Sequence, residues 1–166
     1  MDLLATIGLE STHTPLHIIL IRLIIASGLG AIIGWERGRQ AGTAGLRTHI
    51  LIALAAALFT TLSFEIFHEV EEHGGGGLDP IRAVEAVTAG IAFLGAGAIF
   101  QQRGNVQGLT TGAGMWLAGA VGVSAAIGYY VIALAAAVLA VLVLVALRRL
   151  SHQVVAKDHH KPDESP

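Results

Sequence analysis

The sequence predicts an all-α membrane protein, a polytopic bundle of about five spans with its N-terminus outside and its C-terminus in the cytoplasm. Three observations predict it. Of 166 residues, 54% are hydrophobic and 13% charged, with a mean hydropathy of +0.68, whereas soluble domains carry about a quarter charged residues. Apolar runs close to the ~20 residues that a spanning helix needs recur along the chain. Basic residues gather on alternate connections, as they do on the cytoplasmic side of membrane proteins. There are no cysteines, which excludes disulfides and thiolate chemistry. The net charge of −2 says little by itself, because its distribution is what matters here.

The spans read as His17–Trp35, Arg47–Phe67, Ile81–Phe100, Leu109–Ile127 and Tyr129–Leu147. The N-terminus carries an acid, Asp2, where a signal peptide would be basic, so the first span is expected to stay in the mature protein. The second connection, His68 to Pro80, holds four consecutive glycines and reads as a solvated link. The third, Gln101 to Gly108, is a tight polar elbow. Only Gly128 and the pair Tyr129-Tyr130 divide the last two spans, and one long kinked helix is the alternative there. Residues 1–150 form one membrane domain, and 151–166 a short polar cytoplasmic tail expected to be disordered.

Orientation follows from Arg37, Arg39 and Arg47 around the first connection, Arg103 in the third, and Arg148, Arg149, Lys157 and Lys161 at the end. The opposite side holds Asp2, Glu10, Glu69, Glu71, Glu72 and Asp79, with Arg82 as its clear base. No convincing internal repeat is seen, which weakens an inverted-repeat transporter.

Several motifs carry a family resemblance. Asp79-Pro80-x-Arg82 is followed by Gly90-x-x-Phe93-Leu94-Gly95-Ala96-Gly97, then by Asn105-Val106-x-Gly108-Leu109-Thr110-Thr111 and Trp116. Earlier come Glu36-Arg37 and Gly45-Leu46-Arg47-Thr48. In this order they resemble the MgtC/SapB family of bacterial inner-membrane proteins, roughly from Ile19 to Leu147. The resemblance implies a multi-pass inner-membrane protein tied to magnesium homeostasis and to stress or virulence adaptation. Some members add a C-terminal ACT-like soluble domain, and the expectation here is the transmembrane domain alone.

Small residues recur every fourth position at Ala26, Gly30, Gly34 and Gly38, and again at Gly114, Ala118, Gly122 and Ala126. Such stripes let membrane helices approach closely. Together with Gly90, Gly95 and Gly97 they are candidate packing positions, either within the bundle or, for the first stripe, in a homodimer.

Charges inside spans default to functional hypotheses. Arg22 and Glu85 lie at similar depth in the first and third spans and could form an intramembrane ion pair. The alternative is that Arg22 snorkels and Glu85 pairs with Arg82. A second cluster, Glu36, Arg37, Arg47, Thr48, Arg103, Asn105, Thr110 and Thr111, gathers at the cytoplasmic helix ends, with His49 and Gln102 beside it. Asn105 suits a turn, and Thr110 and Thr111 suit a helix cap. The arginines suit a membrane-protein partner or an anionic ligand.

Mg²⁺ binding uses one or two carboxylates with retained waters. Glu36 among arginines is an unfriendly field for a dication, so no metal site is assigned there. His68/Glu72 and Glu69/His73 are i,i+4 pairs that would hold a metal only weakly. Gly122-Val123-Ser124 faintly resembles the serine motif of rhomboid proteases, but no histidine follows inside a later span to act as base. The reading is therefore non-enzymatic, without cofactor or nucleic acid: a protein of the bilayer that acts on a membrane partner or ligand. Its rival is an ion or small-solute transporter, with Mg²⁺ the obvious cargo.

Overall fold

The computed structural model describes residues 12–38, 44–77, 79–102 and 105–158. Within them run α1 (Leu16–Gly38), α2 (Leu46–Glu72), α3 (Ile81–Gly97), α4 (Leu109–Ala126) and α5 (Tyr130–Asp158). Two three-residue strands, β1 (Phe100–Gln102) and β2 (Asn105–Gln107), pair antiparallel between α3 and α4. The all-α membrane bundle is what the sequence predicts. The third elbow is more regular than expected, because its backbone groups pair with each other across the ribbon, Gln102 opposite Asn105.

Helices α1, α2 and α4 are long and apolar enough to cross a membrane. Helix α3 has 17 residues, and the apolar part of α5 runs Tyr130–Ala146. Helices α1, α2 and α4 pack on one another at the centre. Helix α3 lies against α4 and α2, and α5 against α4 and α1. Two ends of the bundle result. The ribbon end holds the close of α1, the start of α2 and the start of α4. The acidic end holds the start of α1, the close of α2 and the close of α4.

The boundary between the last two spans is a break, not a kink. Gly128 has φ +87°, and the N–H of Tyr129 donates to the carbonyl of Ser124 at 2.9 Å. A left-handed glycine just past the last turn is a common helix stop. Helix α5 then continues to Asp158, so the tail from residue 151 starts as helix where disorder was expected.

Van der Waals fit holds membrane helices together, because lipid tails are as apolar as leucine. The small residues supply that fit. A Cβ on Gly30 would stand 2.7 Å from the carbonyl oxygen of His49, and one on Gly34 2.9 Å from the Cα of Leu46. A Cβ on Gly122 would stand 2.3 Å from the carbonyl oxygen of Ala53. Both α1 and α4 thus press backbone against α2, and the first stripe is filled by the chain's own α2, not left for a second copy. Gly95 meets Gly112 where α3 crosses α4.

Gly90 and Gly97 do not pack as expected. A Cβ on either would meet nothing within 4 Å, since α3 buries only Ile91 and Gly95. The outer surface is strongly apolar: Ile24, Phe93 and Val131 are 69%, 79% and 81% exposed. Such a belt is a liability in water and a match for lipid.

Candidate functional site

At the ribbon end, polar side chains from three spans meet in the interior. Arg37 stands in the last turn of α1, and its Nη2 donates to the Thr111 hydroxyl at 2.9 Å. Both residues are buried. Thr111 belongs to the first turn of α4, so this bond joins the close of one span to the start of another. Glu36 is buried beside Arg37.

His49 completes the group from α2 and is 0% exposed. Its Nδ1 lies 2.8 Å from the carbonyl oxygen of Gly45, which can only accept, so Nδ1 carries the proton. Nε2 then presents a lone pair in the neutral ring and has no hydrogen-bond partner among the described residues. Gly114 is where the helices converge. A Cβ there would lie 3.0 Å from His49 Nε2 and 3.7 Å from Arg37 Cδ. A glycine at this point lets the arginine stem and the imidazole share one small space.

The expected cluster therefore divides. Glu36, Arg37 and Thr111 are internal, with His49 as the member whose weight the sequence reading missed. Thr48 is half-buried, while Arg47 and Thr110 are exposed. Asn105 pairs through its backbone in the ribbon, and Arg103 lies outside the described residues. The threonines do not cap α4. Its N-cap is Gly108, at φ +84°, with no side-chain cap. A Cβ at 108 would fall 1.9 Å from the Ala98 carbonyl oxygen, so the elbow can close only on glycine.

The acidic end rearranges the other expectations. Arg22 does not pair with Glu85. Its Nη1 donates to the carbonyl of Ala126 at 2.8 Å, at the last turn of α4, while Glu85 is exposed on α3. A helix end offers unpaired carbonyls and a negative dipole, and an arginine satisfies both. Glu65 accepts from the backbone N–H of His13 at 2.6 Å and of Thr14 at 3.1 Å, tying the entry of α1 to α2. His13 stacks on His68 at 4.1 Å and reaches Glu72 at 3.4 Å. The Glu69/His73 pair forms at 3.4 Å. Among the described residues no three metal-binding side chains gather. The Ser124 hydroxyl donates within its own helix, to the Ala120 carbonyl at 2.9 Å.

Comparison with known proteins adds to this geometry. The chain matches the MgtC family over residues 23–153. It is 38% identical over 141 residues to a protein of Escherichia coli (strain K12) named "Putative magnesium transporter YhiD", covering 85% of this chain and 66% of that protein. It is 34% identical over 135 residues to Protein MgtC of Salmonella typhimurium (strain LT2), covering 81% and 54%. It is 39% identical over 122 residues to Protein MgtC of Brucella abortus (strain 2308), covering 74% and 48%. The chain thus spans from about half to about two thirds of the length of these relatives. No solved structure matches it.

Proposed function

This chain belongs to the MgtC family, and from that premise we propose that it is a multi-pass protein of the bacterial inner membrane that serves magnesium homeostasis by contact. It binds a membrane partner or ligand at the ribbon end, as part of stress or virulence adaptation, and catalyses no reaction. A membrane protein linked to magnesium is the common ground of the family and of the names its relatives carry. The mode of action is the proposed part.

The buried Arg37–Thr111 bond is the observation that carries it. A guanidinium fixed at the junction of α1, α2 and α4 stands beside the buried Glu36 carboxylate, so a dication there would compete for that one acid with an arginine already in place. The same bond ties the close of α1 to the start of α4. At that end stand exposed Arg47, Thr110 and Val106, a mixed basic and apolar face suited to another membrane protein.

Magnesium transport is the second reading, and the name carried by the E. coli relative favours it. Mg²⁺ flux in proteoliposomes separates the two, with wild type beside Glu36→Ala and Asn105→Ala. Contact predicts no flux from folded protein, together with a membrane cross-linking partner that is lost on Arg47→Glu. Wild-type flux that disappears in both alanine variants would overturn the contact reading.

A further inference from the structure

A second polar site lies at the opposite end of the bundle. A cavity of about 200 Å³ opens between α1, α2 and the close of α4, with Thr14, Arg22, Thr61, Phe64, His68 and Ala126 in its wall. Liquid water occupies about 30 Å³ per molecule, so the space holds an ion of a few heavy atoms with some of its hydration, and nothing the size of a nucleotide.

Two donors on the residues of its wall have no partner among the described residues. Arg22 uses Nη1 on the Ala126 carbonyl. Its Nε is shut from solvent without a partner, and so is the Thr61 hydroxyl, on a residue only 5% exposed. Nη2 runs beside Gly128, 3.4 Å from where a Cβ would sit. With Nη1 committed, the Nε–Nη2 edge remains, and two parallel N–H groups on that edge match two oxygens of one anion. Buried donors are ordinarily satisfied, so two without partners at one cavity call for an acceptor.

We propose that this cavity binds a small oxyanion, a phosphate or carboxylate group, on the free edge of the Arg22 guanidinium with the Thr61 hydroxyl as second donor. Cations are excluded by the arginine itself. The nearest carboxylate along α2, Glu65, is occupied at the entrance by the backbone N–H groups of His13 and Thr14. The oxyanion can be free in solution or be the phosphate of a lipid headgroup. The site is distinct from the ribbon-end cluster, and it stands whether or not that cluster docks a partner.

The test uses the full chain in detergent, titrated with inorganic phosphate and with acetate by calorimetry. Native mass spectrometry of gently extracted protein reports any retained phospholipid. Two variants are compared, each checked for helix content. Thr61→Val removes one donor and leaves the Arg22–Ala126 bond in place, and Arg22→Lys keeps the charge but lacks the fork. Saturable binding that weakens by about tenfold in each variant is the expected result. A phospholipid retained by wild type and lost from both variants would identify the headgroup as the source. Folded wild type with neither ligand nor lipid, or Thr61→Val binding as tightly as wild type, would overturn the proposal.

Discussion

Arg37 and Thr111 come from helices 74 positions apart in sequence, yet one hydrogen bond of 2.9 Å closes the ribbon end around them. Thr111→Val keeps the shape and removes the acceptor. A buried charged donor then loses its hydroxyl, and the protein is expected to lose about 1–3 kcal/mol, read as a lower unfolding midpoint in detergent. The composition of this site was legible in the sequence, because Glu36, Arg37 and Thr111 are polar groups at the ends of apolar runs. The role of His49 was less legible, since one histidine near a helix start looks the same whether it is exposed or sealed. Arg22 was misread for a related reason. Its partner is the backbone carbonyl of Ala126, and a carbonyl leaves no mark in a sequence. His73, past the last turn of α2, is legible in another way. Its bond to the Glu69 carbonyl, and then the Glu69 carboxylate, raise its pKa above the ordinary 6.5. A pKa raised on folding stabilises the helix end below the ordinary value, and that contribution is lost as pH rises through the folded one. An NMR titration of His73 should therefore place its midpoint above 6.5.

Glycine has opposite meanings on different helices. On α1 and α4 it is contact: Gly30 and Gly122 admit the backbone of α2 to distances that no Cβ tolerates. On α3, Gly90 faces open space. Gly122→Ala should therefore force α4 from α2 at a cost of about 1–3 kcal/mol or more. Gly90→Ala should be neutral or should stabilise by about 0.5–1 kcal/mol, because alanine loses less backbone freedom on forming helix. Reversal of that order in detergent unfolding would mean that α3 packs through its other face. The every-fourth-residue stripes on α1 and α4 were readable because each helix turns one small-residue face to α2 and repeats the contact along it. The glycines of α3 share no such single face. Gly90 and Gly97 belong to a motif that includes buried Gly95, and a motif does not say which of its members touches a neighbour. The elbow was readable as a turn but not as a ribbon. What decides it is Gly108 at φ +84°, which lets Gln107 complete the pairing with Phe100 immediately before α4 begins.

The whole molecule has two chemically unlike ends and an apolar belt between them, which is why the membrane class could be read from composition while the internal contacts could not. The ends also carry its orientation. Basic residues cluster at the ribbon end and at the close of α5, and acids follow the close of α2, so the positive-inside rule predicts a ribbon that faces the cytoplasm. The absence of cysteine from the sequence makes this directly measurable, because any single introduced thiol is the only one present. Gly76 faces open space after α2, and Val106 is 54% exposed on the ribbon, so a cysteine at either position should be reachable without disturbing a helix contact. A membrane-impermeant maleimide applied to spheroplasts is expected to label Gly76→Cys at once and Val106→Cys only after lysis. The opposite pattern would invert the molecule. The ribbon end would then face outward, where no cytoplasmic partner can reach it, and the oxyanion cavity would open to the cytoplasm and its phosphate pool.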